Sequence, residues 1–409
     1  MMACRSVKIR FLYGIKLLKD RLDNYLASPV LFNNHLMDSV CFVSNTAWSV
    51  FNFRLEVIRY LLKKSYKVLI IAAPDGFETA LEKEGCLFIP LAFDNRSLSI
   101  LADLKLYRRL KRLYRQHKPG VIFHYVIKPN VYGTLAAAAL SIPSIAVVTG
   151  LGYSFSKRGW LYWLTKFLYA YAFRRSREVW FLNNEDARFF IAQHMVDIER
   201  TNVMHGEGIN TTYFQLNRSA QQGREFCFLM SARLLRSKGI VLFADAARMI
   251  RRKQYAARFV LIGSPEATHP DALDPGLLEE WQNEGLIEYQ GFVADVRPAL
   301  SSADCFVFPS YYNEGVPRSL MEAASMQLPI ITTLNRGCRE VVVDGKSGLL
   351  CHPQDAFDLA EKMEMMINLP PEARREMGAA GRNLVIDKFE VTQVAALYER
   401  TIASALSKS

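Results

Sequence analysis

The sequence predicts an α/β fold of two doubly wound, parallel-sheet domains facing one cleft. Three observations carry this. The chain has 409 residues, half of them hydrophobic, enough for two cores of roughly 200 residues each. From residue 39 onward, short apolar runs alternate with helical patterns, as parallel sheets with covering helices require. A polar segment, 217–225, then separates one such series from a second.

In the first series CFVS (41–44) precedes a helix over Phe51–Lys64, and KVLIIAAP (67–74) a helix over Phe77–Glu84. LFIPL (87–91) leads to a basic helical stretch, Ile100–His117. GVIFHYV (120–126) is followed by a helix over Val131–Leu140, then SIAVVTG (144–150), and EVWFLN (178–183) runs into Glu185–His194. The second series starts with FCFLMSA (226–232) and a helix over Gly239–Arg252. RFVLIGS (258–264), Pro275–Gly285, LIEYQG (286–291), ADCFVFP (303–309), Ser319–Met326, LPIITT (328–333) and SGLLCH (347–352) follow. Helices over Phe357–Ile367, Glu372–Lys388 and Val391–Leu406 close the chain. The expected division is 1–36 as an extension, 37–216 as the first doubly wound domain, 217–390 as the second, and 391–409 as a helix that can cross back to the first.

Residues 1–36 lack the strand-turn-helix rhythm and mix basic with apolar side chains. Two readings stand: a functional start at Met37, or a basic amphipathic anchor.

Composition excludes several classes. Seven scattered cysteines without a Cys-x-x-Cys pair read as reduced thiols of a cytoplasmic protein. There is no metal-ligand spacing of Cys or His and no Asp-x-Asp pair, so no metal and no cofactor is expected. No run reaches the ~20 apolar residues of a membrane span. Residues 1–220 hold 30 basic and 16 acidic residues, so the net charge of +11 is concentrated there. That half should meet an anionic partner. No nucleic-acid reader motif accompanies the basic stretch 105–118, so nucleic acid is not expected. Phe155–Trp180 is aromatic, basic and helical in pattern. It reads equally as a helix at a lipid–water interface or as one packed on its own sheet.

The chemistry concentrates in PSYYNEGVPRSLMEAASMQLPIITT (309–333). Glu314 sits in a Gly/Pro turn, and Glu322 follows with seven residues between them. A helix starting near Pro317 places Glu322 on its first cleft-facing turns. Both carboxylates can accept hydrogen bonds from sugar hydroxyls, and the N–H groups of Gly315, Val316 and Arg318 can face a phosphate. After FCFLMSA comes RLLRSKG, where Arg233 and Lys238 suit a diphosphate, one as a fork and the other as a point charge. Gly263, in the turn after RFVLI, joins the nucleotide side. Ligands in doubly wound folds bind at strand carboxyl ends, and each of these residues lies there.

SARLLRSKG, VLIGS, FVFPSYYNEGVPRSLMEAASMQLPIITT and GCREVVVDGKSGLL, in that order, resemble family 4 of the retaining GT-B glycosyltransferases over residues 39–405. The resemblance implies that Glu314 contacts the donor sugar, that Glu322 binds the ribose hydroxyls, and that Arg233 and Lys238 grip the diphosphate. It also implies a metal-independent reaction. KPNVYGTLAAAAL, VTGLGYSF, FLNNEDARFF and GEGINTTYF look like bacterial enzymes that extend polyprenyl-diphosphate-linked sugars for O-antigen, capsule or exopolysaccharide. The implied partners are a UDP-sugar (an N-acetylhexosamine donor), a polyprenyl-diphosphate-linked acceptor and an anionic membrane surface on the cytoplasmic side. A nucleotide-sugar epimerase and a silent nucleotide-sugar-binding scaffold remain as alternatives.

One departure is visible. Many members carry paired glycines in the first loop, where this chain reads Asn45-Thr-Ala-Trp48-Ser49. Trp48 is either an acceptor wall or core. Lys128 and Asn130 are placed on the acceptor side, with Gly150 and Gly152 in a turn beside them. His124 is either a catalytic residue near the donor sugar or a satisfied strand-end histidine.

Overall fold

The computed structural model describes residues 39–407 apart from 95–96, 152–154, 156–158, 217–223, 268 and 313–314. Residues 1–36 lie outside that range, as do Glu314 and Gly152.

The first lobe alternates strand and helix: β1 (Ser39–Thr46), α1 (Ala47–Lys63), β2 (Lys67–Ala73), α2 (Glu78–Lys83), β3 (Leu87–Pro90), α3 (Ile100–His117) and β4 (Val121–Tyr125). A π-helical turn (Pro129–Gly133) leads into α4 (Thr134–Ala138), β5 (Ser144–Val148), α5 (Trp160–Phe173), β6 (Glu178–Phe181), α6 (Asn184–Ala192) and β7 (Thr201–Val203). The strands form one sheet in the order β3-β2-β1-β4-β5-β6-β7. Every pairing in it is parallel.

The second lobe holds β8 (Phe226–Ser231), α7 (Ile240–Arg252), β9 (Ala257–Ile262), α8 (Pro275–Asn283), β10 (Glu288–Tyr289), α9 (Arg297–Ser302) and β11 (Cys305–Phe308). It continues with α10 (Arg318–Ser325), β12 (Ile330–Thr333), β13 (Gly348–Cys351), α11 (Ala356–Asn368), α12 (Pro371–Phe389) and α13 (Val391–Leu406). Its sheet order is β10-β9-β8-β11-β12-β13, again parallel throughout. In both sheets the strand order reverses beside the first strand. That switch point opens a crevice at the carboxyl ends, where each lobe faces the cleft.

Local chemistry explains the helix limits. Ser99 caps α3 by accepting from the N–H of Ala102 at 3.3 Å, Asp103 sits in its first turn, and Arg115 and His117 lie in its last. This order suits the helix dipole. Leu106, Leu110 and Tyr114, four residues apart, are its buried stripe. The expected helix over Val131–Leu140 is corrected. The chain leaves β4 through Val126 at φ +62° and enters the π-helical turn, and regular helix occupies only Thr134–Ala138. Such turns recur at functional sites, and this one carries Asn130 with Lys128 just before it.

α13 packs on α1 and β4 of the first lobe. Its Tyr398 stacks among Phe42, Phe123 and Trp180, with ring centroids 6.1, 4.7 and 4.9 Å away, and donates or accepts at the hydroxyl of Tyr125 over 2.6 Å. Burying an aromatic of this size contributes about 1.5–3 kcal/mol. Charge also joins the lobes: Arg336 and Arg339, after β12, pair with Glu185 and Asp186 of α6. The six described cysteines are free and buried, and no described helix is long and apolar enough to cross a membrane.

Candidate active site

Between the lobes lies a cavity of about 2160 Å³. Ordinary ligand pockets run to ~300–1,000 Å³, so this one has room for two substrates.

The second-lobe wall is built from two knitted loops. After β8 the chain enters a 3-10 turn, Arg236–Lys238, which Asp271 clamps by accepting from the Ser237 N–H at 3.0 Å and from its hydroxyl. Gly239 ends the turn at φ +84°, where a Cβ would lie 2.2 Å from the Pro309 carbonyl oxygen. No other residue fits there. The Ser237 carbonyl accepts from the N–H groups of Tyr311 and Tyr312 at 2.9 and 3.1 Å, so the Lys238 turn and the loop after β11 move together. Lys238 is 8 % exposed. Its Nζ lies over the rings of Phe308 and Tyr312, 5.6 and 5.1 Å from their centroids, a cation held on aromatic faces. Arg233 is more open and pairs with Glu266 at 3.6 Å. Both cations line the cavity, as does Gly263.

α10 begins at Arg318, with Pro317 at the capping position rather than inside the first turn. Gly315, Val316, Pro317 and Arg318 all line the cavity. A Cβ on Gly315 would lie 2.4 Å from the Thr149 carbonyl oxygen of the first lobe, so the two lobes approach closely here. Glu322, one turn on, accepts from Arg318 Nε at 2.8 Å. Burial pushes its carboxyl up, and Arg318 opposes this. An enclosed carboxylate with one oxygen held by a cation can accept from a vicinal diol. Glu314, between Tyr312 and Gly315, lies outside the described residues.

On the first-lobe wall, Trp48 lines the cavity from the start of α1. Its N–H donates to both carboxylate oxygens of Asp75, at 3.1 and 2.9 Å, and Thr46 caps the same helix by accepting from Ser49. These side chains occupy amides that could otherwise meet a phosphate. Lys128 pairs with Asp103 at 2.6 Å, and the Tyr132 hydroxyl donates to the other Asp103 oxygen at 2.7 Å. Asn130 donates to the Val147 carbonyl at 3.0 Å, bracing β5. Gly150, at φ +146°, follows β5 and lines the cavity. Gly152 lies outside the described residues.

His124 is corrected. It is fully buried and does not line the cavity. Alternation along β4 turns it to the α3 and α4 face, where Nε2 meets the Tyr114 hydroxyl at 2.9 Å and Nδ1 the Thr134 hydroxyl at 3.3 Å. Burial pushes its pKa down to about 3, so the ring is neutral. It serves the packing of the lobe and not the reacting atoms.

Sequence reasoning missed a buried pair at the base of the cleft. Arg54 of α1 meets Glu207 at 2.6 Å, stacks 4.0 Å over the Tyr125 ring, and donates to the Ser49 carbonyl at 2.9 Å. Glu207 Oε2 is buried without a hydrogen-bond partner. Burial raises its carboxyl, against the pull of Arg54 and then Arg318. The signal was available: an acid between two glycines in GEGIN, at the crossing between lobes. Its partner, 153 residues earlier, carried no local mark.

Two parallel-sheet lobes about one cleft form a ligand-binding α/β class, and comparison with known proteins says which one. Residues 39–183 match the Glycosyl transferase 4-like family and residues 214–384 the Glycosyl transferases group 1 family. The chain belongs to the glycosyltransferases of this GT-B type. It is 27% identical over 384 residues to the N,N'-diacetylbacillosaminyl-diphospho-undecaprenol alpha-1,3-N-acetylgalactosaminyltransferase of Campylobacter jejuni, covering 88% of this chain and 98% of that one. It is 25% identical over 314 residues to the UDP-Gal:alpha-D-GlcNAc-diphosphoundecaprenol alpha-1,3-galactosyltransferase of Escherichia coli, covering 72% and 80%. Among solved structures, Anabaena HepE in complex with UDP and glucose superposes with a TM-score of 0.74 at 18% identity, over 90% of this chain and 99% of that one.

Proposed function

We propose that the protein transfers a sugar from a UDP-sugar to a polyprenyl-diphosphate-linked acceptor in bacterial surface-polysaccharide assembly, with retention at the anomeric carbon and without a metal ion. The observation that carries this is the second-lobe wall. Two cations and a helix start converge on one side of a two-substrate cavity, with an enclosed carboxylate, Glu322, one turn beyond.

In the proposed reaction Glu322 accepts from the ribose hydroxyls. Arg233 and Lys238 take up the negative charge that grows on the departing diphosphate, a stabilisation realised most fully in the transition state. With that charge met by fixed side chains, no step is routed through a metal. Glu314 orients the donor sugar, as the resemblance implies. The acceptor oxygen bonds to the anomeric carbon as the bond from that carbon to the diphosphate oxygen breaks, on the same face. The acceptor proton passes to the departing phosphate oxygen. Lys128 and Trp48 present the acceptor. Both relatives make an alpha-1,3 linkage by name, and an α product from an α-linked nucleotide donor is the retaining outcome. An N-acetylhexosamine donor is the first choice. The basic first lobe would hold the enzyme at the cytoplasmic face of the membrane.

The test is a donor screen with UDP-, GDP- and ADP-sugars on polyprenyl-diphosphate-linked acceptors, read by mass spectrometry and by the anomeric proton coupling of the product. One added sugar, from a UDP donor, in the α configuration and in the presence of a chelator, is expected. Donor binding without transfer to any acceptor would overturn the reading in favour of a silent binding role. Donor conversion without an acceptor would favour an epimerase.

A further inference from the structure

The cleft does not end at the acceptor wall. The cavity that holds Lys238 and Glu322 continues outward between α3 and α5. α3 lines this extension with Ile100, Leu104 and Tyr107, and α5 with Leu161, Leu164 and Leu168. Both sets follow i, i+3/i+4, i+7 spacing, so each helix turns one apolar stripe toward the same space. Leu135, Ala138 and Ala139 complete the lining from α4 and the residue after it. The outer lips are apolar and open to solvent. Ile100 is 83% exposed and Leu101 79%, and across the groove Trp160 is 66% and Phe167 65% exposed. Large exposed apolar side chains on both helices suit an interaction surface.

Charge narrows the partner. Along α3 and α5 the only acidic residue is Asp103, against seven basic ones. Asp103 is already paired with Lys128, which sits where the groove meets the cleft. An apolar channel, an ammonium group held by Asp103 at its inner end and helices rich in Lys and Arg match an apolar chain carrying a phosphate-type head.

We propose that the groove between α3 and α5 seats the first isoprene units of the acceptor lipid, with Lys128 meeting its diphosphate and the exposed lips resting in an anionic bilayer. This rests on the lipid-linked acceptor reading above. The groove then sets how deep the glycan head reaches: a chain held there delivers the sugar to the inner wall while the bilayer stays outside.

The test compares farnesyl diphosphate with inorganic diphosphate by calorimetric titration of the full chain. Farnesyl diphosphate should bind at least about tenfold more tightly, as burial of a few methylene groups requires. Leu104→Glu and Leu164→Glu should each remove that preference while leaving the affinity for inorganic diphosphate unchanged. Leu104→Met and Leu164→Met should keep it. Both positions are partly exposed, so folding is expected to survive, and an unchanged thermal midpoint checks this. Equal affinity of the wild type for the two ligands overturns the groove, and so does a preference that both glutamate variants retain. Binding to phosphatidylglycerol vesicles with no farnesyl preference also overturns it, leaving a membrane contact alone. If farnesyl preference holds but no acceptor is glycosylated, the transferase reading fails and the groove stands. If glycan is transferred with a KM blind to chain length, the transferase reading stands and the groove fails.

Discussion

The two walls of the cleft are built in opposite ways. On the second-lobe wall, Arg233 and Lys238 follow β8 and Arg318 and Glu322 open α10, and the loops after β8 and β11 bond to each other through the Ser237 carbonyl. On the first-lobe wall, the polar groups are pairs drawn from far apart, Arg54 with Glu207 and Lys128 with Asp103, set among apolar helix faces. The difference follows from the ligands each wall would meet. A nucleotide diphosphate offers fixed charges that short, rigid motifs can match. A lipid-linked glycan offers few, and its wall depends on how whole helices are placed.

That contrast can be broken most sharply at Arg54. Arg54→Ala leaves Glu207 buried without its cation, which should cost about 3–5 kcal/mol in urea unfolding. Replacing both residues by apolar side chains should restore most of it. A loss under about 1 kcal/mol for the single change would mean that water reaches the pair.

Lys238→Ala should lower kcat by about 10²–10³-fold while changing UDP affinity far less, the mark of a group acting on developing charge. Steady-state kinetics and UDP titration read both. An equal loss in binding and rate would assign Lys238 to ground-state binding. Glu322→Ala should instead weaken UDP binding by roughly 10–100-fold, since hydrogen bonds to a charged acceptor contribute about 1.5–3 kcal/mol. Unaltered UDP affinity would remove it from the nucleotide site.

Taken one pH unit at a time, the smallest effect sits in the first lobe. His124 is held neutral, with its pKa down at about 3, against ~6.5 in the unfolded chain. Its contribution is therefore complete above about 6.5. As pH falls from there toward 3, the unfolded chain binds a proton that the folded chain refuses. Stability should drop by up to about 1.4 kcal/mol per pH unit on this account. Urea titrations of wild type and His124→Asn at several pH values should show that slope only in the wild type. Equal slopes would mean that the folded ring takes up the proton.

Legibility followed range. Ile100–His117 and Val391–Leu406 are the helices the periodicity predicts, because an apolar stripe repeats within one helix and capping residues mark its ends. The second-lobe wall was legible for the same reason: strand, loop and helix start are consecutive. His124 was misjudged because one residue of register decides which sheet face a side chain takes. No local signal distinguishes a cleft-facing histidine from one satisfied by Tyr114 and Thr134. The helix at 131–140 failed where a π-helical turn interrupts it.

The sequence by itself determined the two-sheet α/β class, most elements, and the motif that holds Arg233, Lys238 and Glu322. These rest on hydrophobic period, turn chemistry and backbone geometry, which act over a few residues. Only the tertiary structure decided that Arg54 answers Glu207 and that α3 and α5 open a groove into the cleft. Each of these joins segments that are distant in the chain. Their meeting is governed by packing and by the cost of burying an unpaired charge, quantities that exist only once the fold has formed.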